Sequence, residues 1–224
     1  MTGTPAVIVF DVNETLSDLS VLDHRFIQAG LPAELARLWF TTVLREGFAL
    51  AANGETARFA DIGADVLDGL QKAAGIGSPA GTTQRLVASM AELPLHPDVA
   101  DGVRGLRAAG HRLVTLSNGS AEVAERLTAS AGLEEQFERF LSVEDAGVWK
   151  PHSGAYQYAA QRCEVPEDQM LLVAVHPWDL HGAARAGLRT AWVDRTGVGY
   201  PSYYARPEVT VASLPELATV LAAA

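Results

Sequence analysis

The chain has 224 residues, of which 48% are hydrophobic and 20% are charged, and its formal net charge is −10 at pH 7. This length and composition exclude a disordered chain, and the negative charge argues against binding to nucleic acid or to an acidic membrane surface. The N-terminus has no basic leader, no apolar run is long enough to span a bilayer, and the single cysteine, Cys163, cannot form an intramolecular disulfide, so we predict a cytoplasmic protein.

The first apolar run, AVIVF at residues 6–10, predicts a buried strand. No buried strand is predicted between residues 17 and 95, where three helical patterns cover residues 31–52, 59–75 and 81–93. The first of these is amphipathic, with residues at helical spacing, namely Leu35, Leu38, Trp39, Thr42, Val43 and Leu44. We therefore predict a helical cap domain at 17–95, inserted after the first strand into a core domain formed by 1–16 and 96–224.

The rest of the chain alternates between helical patterns and apolar runs. Helical patterns cover residues 98–110, 120–132, 153–165 and 179–188. Apolar runs without polar alternation cover residues 112–117, 139–143, 170–175 and 190–194. Uninterrupted apolar strands joined by helices through short connections predict an α/β fold with a doubly wound parallel sheet.

Polar residues follow four of the predicted strands. They are Asp11, Asn13 and Thr15 after the first, Ser117 and Asn118 at the end of the second, Lys150 beyond the third, and His176, Trp178 and Asp179 after the fourth. Ligands of open α/β sheets bind at the carboxyl ends of the strands. Each residue alone has an ordinary structural explanation, such as a turn, a helix cap or a surface lysine. Their occurrence at four strand ends favours an active site.

These residue types are suited to covalent catalysis. An aspartate such as Asp11 can act as a nucleophile and form an ester, and a nearby lysine such as Lys150 would keep it ionised. Ser117 and Thr15 can donate hydrogen bonds that orient the carboxylate. Hydrolysis of the ester needs a water and a general base, for which Asp179 and His176 are both candidates.

Asp11-x-x-x-Thr15, Ser117-Asn118, Lys150-Pro151 and the acid Asp179, in this order, resemble the haloacid dehalogenase superfamily, whose fold is a Rossmann-like core with a cap. The resemblance covers essentially the whole chain. Within the superfamily, LSNGS, LSV-x(6)-KP-x(4)-Y and W-D-x-x-G-A are most similar to the type II (S)-2-haloacid dehalogenases.

The resemblance implies that Asp11 displaces halide from a short 2-haloacid and that water then releases a 2-hydroxyacid. Thr15, Ser117, Lys150, Tyr156 and Asp179 carry over by position. Asn118 is expected at the site of the substrate carboxylate. The expected pocket walls are Asn13, Phe40, Leu44, Phe59 and Trp178. A small-molecule carboxylate is the expected partner, a homodimer is expected, and no metal or other cofactor is expected.

Four positions affect this interpretation. Asn13 replaces the second aspartate of the D-x-D motif with which phosphatases of the superfamily protonate a leaving alcohol, and it favours carbon–halogen chemistry. Phe40 stands where an arginine usually helps to accept the halide; Arg37 and Arg45 lie about one turn away on either side. His176 replaces an asparagine of the subgroup and Pro177 an alanine.

His176 could bind the halide as imidazolium, or could activate water with Glu14 or Asp18 orienting it; alternatively, the pocket has changed to another substrate. Two other functions therefore stay open. One is a different hydrolase of the superfamily, acting on a phosphate ester or another small acid. The other is a protein that binds a small carboxylate without turning it over.

Overall fold

The computed structural model describes residues 3–223. Six strands form one parallel sheet in the order β3-β2-β1-β4-β5-β6. Their bounds are Val7–Phe10 (β1), Arg112–Ser117 (β2), Arg139–Ser142 (β3), Met170–Ala174 (β4), Arg189–Val193 (β5) and Val209–Val211 (β6). The five predicted strands are confirmed, and the sequence analysis missed β6.

Ten α-helices accompany the sheet in the described part of the chain. They are Val21–Gln28 (α1), Glu34–Ala52 (α2), Phe59–Ala73 (α3), Thr82–Ala88 (α4), Val99–Ala108 (α5), Ala121–Ser130 (α6), Val143–Ala146 (α7), Ser153–Cys163 (α8), Pro177–Arg185 (α9) and Leu214–Ala222 (α10). No helix within residues 3–223 is both long and apolar enough to cross a membrane.

Helices cover both faces of the sheet. The side chains of β1 are apolar at every position and are buried on both faces. Successive side chains of a strand point to opposite faces. Ile8 and Phe10 pack in a cluster with residues of α5 and α10, whereas Val7 and Val9 pack with residues of α8 and α9. The predicted doubly wound α/β fold is therefore confirmed.

Helices α1 to α4 lie between β1 and α5, as the sequence indicated for this interval. Two details differ: α1 was not predicted, and the predicted helix at 81–93 ends at Ala88 and continues as a 3-10 turn from Ser89 to Glu92. The chain returns to the sheet beside its exit point, where Ser17 and Leu95 form an isolated bridge. The division into a core domain and a cap domain at residues 16/17 and 95/96 stays a prediction.

Trp149, which directly precedes Lys150, packs on the helical insertion. Its indole nitrogen donates a hydrogen bond of 2.9 Å to the carbonyl of Ala57, and its ring stacks on Phe59 with centroids 6.1 Å apart. Gly47 of α2 lies so close to this ring that an added Cβ would be 2.2 Å from it. The insertion thus packs on the residue that precedes Lys150.

Gly102 in α5 lets that helix approach α10 closely. A Cβ at Gly102 would lie 2.2 Å from the Cβ of Leu214. We expect Gly102→Ala to lower the free energy of unfolding by about 1–3 kcal/mol, because the two helices would have to move apart. Urea unfolding followed by circular dichroism measures the change.

The matched control is Gly69→Ala in α3. Gly69 is exposed and has no atom within 4 Å of an added Cβ. This substitution should raise the free energy of unfolding by about 0.5–1 kcal/mol, as expected for an alanine in a helix interior. Equal effects of the two substitutions would contradict the packing described for α5 and α10.

Candidate active site

Asp11 directly follows β1, the strand whose hydrogen-bonded neighbours are β2 and β4. The carboxylate is buried and both its oxygens are bound. Thr15 donates its hydroxyl to Oδ2 at 2.6 Å, and Lys150 donates from Nζ to Oδ1 at 2.9 Å. Burial by itself raises the pKa of Asp11, but the Lys150 ammonium and hydrogen bonding from His176 outweigh it and hold the pKa well below its usual range. Asp11 is therefore ionised at neutral pH.

Lys150 is fully buried between two carboxylates. Its Nζ lies 2.9 Å from Oδ1 of Asp11 and 2.6 Å from Oδ2 of Asp179. Burial lowers the pKa of Lys150, yet the two carboxylates raise it above its usual value. An ammonium without these partners would be costly to bury, so each carboxylate requires the lysine and the lysine requires both.

Asp179 is bound from both sides. The hydroxyl of Tyr156 in α8 donates to Oδ1 of Asp179 at 2.7 Å, and Oδ2 binds Lys150. Burial raises the pKa of Asp179, and the nearby Asp11 adds to this rise, while Lys150 opposes it. Gly182 makes this approach of α8 and α9 possible, since an added Cβ would lie 2.7 Å from the Tyr156 hydroxyl. Asp179 therefore binds the ammonium of Lys150 and fixes its position.

Ser117 is the last residue of β2 and Asn118 follows it, and the side chains of both bind backbone groups. The amide oxygen of Asn118 accepts from the backbone N–H of Lys150 at 3.0 Å, and its amide nitrogen donates to the Lys150 carbonyl at 3.3 Å. Ser117 accepts a hydrogen bond of 2.9 Å from the N–H of Gly119. Thr15 thus binds Asp11 as the sequence indicated, whereas within residues 3–223 Ser117 makes no hydrogen bond to Asp11.

His176 bridges two carboxylates at the N-terminus of α9. Its Nδ1 lies 3.0 Å from Oδ2 of Asp11, and its Nε2 lies 2.8 Å from Oε2 of Glu14. Burial lowers the pKa of His176, but its hydrogen bonds to Asp11 and Glu14 raise it to about 9. The ring is therefore an imidazolium at neutral pH. Of the two candidate orienting acids, Glu14 binds His176, while Asp18 accepts a hydrogen bond from the backbone N–H of Ser20.

A cavity of about 590 Å³ lies beside His176 and Glu14. Most of its lining is apolar and includes Phe40, and Arg37 lies one helical turn before Phe40 in its wall. Arg45 is on the surface instead, where it pairs with Glu46 at 2.6 Å. The structure thereby separates the two arginines that the sequence left equivalent.

The other expected pocket residues surround this region without lining the cavity. Trp178 packs on His176, with ring centroids 5.0 Å apart, and on Phe48 at 4.8 Å. Phe59 packs against Phe40, Trp39 and Trp149. Leu44 belongs to the same apolar cluster, and Asn13 is buried at its bridge to Ser17.

Two residues that the sequence analysis did not single out bind the loop after β1. His96 binds the carbonyl of Glu14 through Nε2 at 3.0 Å, and Arg195 donates from Nη2 to the carbonyl of Thr15 at 2.9 Å. Their targets are backbone carbonyls far away in sequence, and no residue pattern marks such contacts. No group of three or more His, Cys, Asp or Glu side chains placed to hold a metal ion occurs in the part of the chain described.

Comparison with known proteins gives a consistent result. A sequence model of the haloacid dehalogenase-like hydrolases matches residues 5–187. The chain is 30% identical to an (S)-2-haloacid dehalogenase of Pseudomonas putida, covering 96% of this chain and 95% of that protein. It is 29% identical to haloacetate dehalogenase H-2 of Moraxella sp. (strain B), covering 96% and 97%.

A solved structure of a dehalogenase with an intermediate complex superimposes with a TM-score of 0.91 at 27% identity, covering 99% of both chains. The L-2-haloacid dehalogenase RSc1362 superimposes with a TM-score of 0.90 at 26% identity, covering 98% of this chain and 99% of that one. The match of the family model spans most of the chain, and these likenesses extend over nearly all of it. The chain therefore belongs to the haloacid dehalogenase-like hydrolase family.

Proposed function

We propose that this protein hydrolyses the carbon–halogen bond of short 2-haloalkanoic acids and releases 2-hydroxyacids through an ester on Asp11. The observation that carries the proposal is the ionised Asp11 carboxylate, held by Thr15 and Lys150 at the end of the central strand. The relatives named as 2-haloacid and haloacetate dehalogenases support the substrate class. Asn13 supports it as well, because halide leaves without a proton whereas the alcohol of a phosphate ester needs one.

In the first step, a carboxylate oxygen of Asp11 attacks the carbon that bears the halogen. The new bond joins this oxygen to the carbon, and the halide leaves with the electron pair of the broken bond. No proton moves in this step, and no cofactor or metal is expected to take part. The negative charge of Asp11 disappears when the ester forms.

In the second step, water attacks the ester carbonyl, and we propose that His176 is the base. Asp179 is unsuited to this role because Lys150 and Tyr156 occupy both of its oxygens. The ester carries no charge, so one of the two carboxylates that raise the pKa of His176 is lost, and the pKa falls. Nδ1 then loses its proton to solvent, while Nε2–H stays bound to Glu14.

Neutral Nδ1 takes a proton from the attacking water and passes it to the oxygen of the departing 2-hydroxyacid. The remaining proton, on the Asp11 carboxyl, returns to His176 and restores the original ion pair. Each turnover thus consumes one water and releases one halide and one proton.

Arg37 is the cation that we assign to the departing halide. Phe40 occupies the position at which an arginine was expected, and Arg37 lies in the wall of the cavity next to it. The cavity also contains His176, whose imidazolium adds a second positive charge. Backbone amides near Ser117 are the groups that we assign to the substrate carboxylate, because the side chain of Asn118 is bound to the backbone of Lys150.

The proposed setting of this reaction is a cytoplasmic homodimer. The lone Cys163 is buried and free, which fits a reducing compartment. Ile27 in α1 and Leu38 in α2 expose 58% and 47% of their surface, and burial of these side chains against a second copy would favour association. A monomer mass in analytical ultracentrifugation would contradict the dimer.

The first test measures halide release from L- and D-2-chloropropionate, chloroacetate and fluoroacetate, with EDTA present. We expect release by the native chain and none by Asp11→Asn, because the amide is not a nucleophile. Single turnover in ¹⁸O-water should place the label in Asp11 and leave it out of the first product. Phosphate release from a phosphate ester with Mg²⁺, dependent on Asp11 and without any halide release, would contradict the proposal.

Replacement of the proposed base should separate the two steps. We expect His176→Gln to release close to one halide per active site and then to stall, since the ester forms but water is not activated. Rapid-quench halide assays and intact-protein mass spectrometry measure the burst and the trapped ester. Tyr156→Phe serves as a comparison, because it loosens Asp179 and leaves His176 in place. Steady turnover by His176→Gln at the native rate would assign the base to another group.

The two arginines of α2 provide a matched pair. Arg37→Gln should lower kcat/KM for chloropropionate by up to about fivefold, because the exposed guanidinium in the cavity wall contributes at most about 1 kcal/mol to the developing halide. Arg45→Gln should leave kcat/KM unchanged, because its ion pair is exposed. Steady-state kinetics on both variants measure the difference, and equal rates would show that Arg37 does not assist departure of the halide.

A further inference from the structure

Glu14 has an unusual backbone conformation. Its φ is 61°, and the only other non-glycine residue with a positive φ in the described chain is Glu164, the C-cap of α8. Left-handed backbone is common at helix ends, but Glu14 lies in the loop that leaves β1. A non-glycine residue in this backbone conformation is strained, and the conformation persists only where the surrounding structure stabilises it. The position of the Glu14 carboxylate beside His176 therefore depends on what fixes the loop.

Side chains from two distant parts of the chain bind this loop. His96 lies where the chain returns from the helical insertion, and its backbone N–H donates to the carbonyl of Leu16 at 2.9 Å. Its Nε2 lies 3.0 Å from the carbonyl oxygen of Glu14. A carbonyl can only accept, so Nε2 carries the proton. Burial and the neighbouring Arg195 lower the pKa of His96, so the ring is a neutral donor at neutral pH.

Arg195 binds the carbonyl of the next residue, Thr15. Its Nη2 donates to Thr15 at 2.9 Å, and its Nη1 pairs with Oδ1 of Asp98 at 2.8 Å. Asp98 is fixed in turn, because its Oδ2 accepts the N–H of Leu214 at 2.9 Å. The peptide groups that follow Glu14 and Thr15 are thus oriented from outside the loop. The first of them fixes the ψ angle of Glu14, and the second anchors the residue next to it.

We infer that His96 and Arg195 are positioning residues that keep Glu14 in its left-handed conformation, and that they thereby keep its carboxylate bound to Nε2 of His176. Neither residue touches Asp11. The inference rests on the proposed function for its effect on turnover, because His176 must be oriented by Glu14 to accept a proton from water. The geometric part stands on the hydrogen bonds that His96 and Arg195 make.

The charged groups around His176 and His96 determine the pKa that a titration of each histidine would measure. His176 faces Asp11 and Glu14, Lys150 binds the other oxygen of Asp11, and Trp178 covers the ring. Around His96 the charged groups are Asp18, Asp98 and Arg195. Loss of the Glu14 contact removes one of the two acceptors that stabilise the imidazolium, so the pKa of His176 should fall from about 9 towards its ordinary value of 6.5.

The test compares His96→Leu with His96→Gln, whose amide can donate to the same carbonyl. The ¹⁵N NMR titration of His176 needs no substrate. We expect a lower pKa of His176 in His96→Leu and a value close to native in His96→Gln. In halide assays, kcat of His96→Leu should fall by up to about 100-fold, while the first release of halide keeps its rate. His24→Leu, an exposed histidine in α1, is the control.

Each outcome decides the inference. A native titration of His176 in folded His96→Leu, or an equal loss in the Leu and Gln variants, overturns it. If His96→Leu does not fold, Arg195→Lys replaces it, since lysine keeps the charge but cannot bind Asp98 and Thr15 together; an unchanged titration there also overturns the inference. A shifted titration with native turnover supports the positioning role and contradicts the proposed base. A shift in a protein that releases no halide from any haloacid leaves the positioning role standing and removes the proposed function.

Discussion

The buried ammonium of Lys150 is the interaction on which the rest of the site depends. It is completely removed from solvent and lies between the carboxylates of Asp11 and Asp179. Removal of any one of these three charges would leave an uncompensated charge in the interior. Tyr156, Thr15 and Asn118 complete the arrangement by binding Asp179, Asp11 and the lysine backbone. The nucleophile therefore stays ionised and oriented before any substrate arrives.

His176 extends this charge network towards the cavity. The network contains three carboxylates, Asp11, Asp179 and Glu14, and two cations, Lys150 and His176. In the proposed cycle, esterification removes the charge of Asp11 and so changes the proton affinity of His176 at the moment when a base is required. The same contact that orients the nucleophile in the resting state would then prepare the hydrolysis.

The sequence predicted the sheet and the carboxyl-edge cluster for a simple reason. Unbroken apolar runs mark strands buried on both faces, and the polar residues that follow them must meet at one edge. β6 was missed because it has only three residues, and the helix predicted at 81–93 ends early because the chain tightens into a 3-10 turn. The His176–Glu14 contact was foreseen only as one of two options. Its partners lie 162 residues apart, and it depends on a left-handed loop residue that residue type does not reveal.

The role of Asn118 also escaped the sequence analysis. An asparagine after a strand was assigned to the substrate, but its amide oxygen and nitrogen bind the backbone of Lys150. Amides bind ligands and peptide groups equally well, and only the fold decides between them. Trp149 was missed because an apolar residue next to a lysine gives no sign that it packs on the helical insertion.

The two hydrogen bonds between the amide of Asn118 and the backbone of Lys150 have a consequence for what fixes the position of the ammonium. Strand β3, which precedes Lys150 in the chain, lies two strands away from β1, and adjacent strands are about 4.8 Å apart. Asn118 instead attaches the lysine to the end of β2, the immediate neighbour of β1. The position of the ammonium is thus set by β2 as well as by the path that residues 143–148 take from β3. A substitution that removes the amide of Asn118 would weaken the attachment of the lysine to the strand beside the nucleophile.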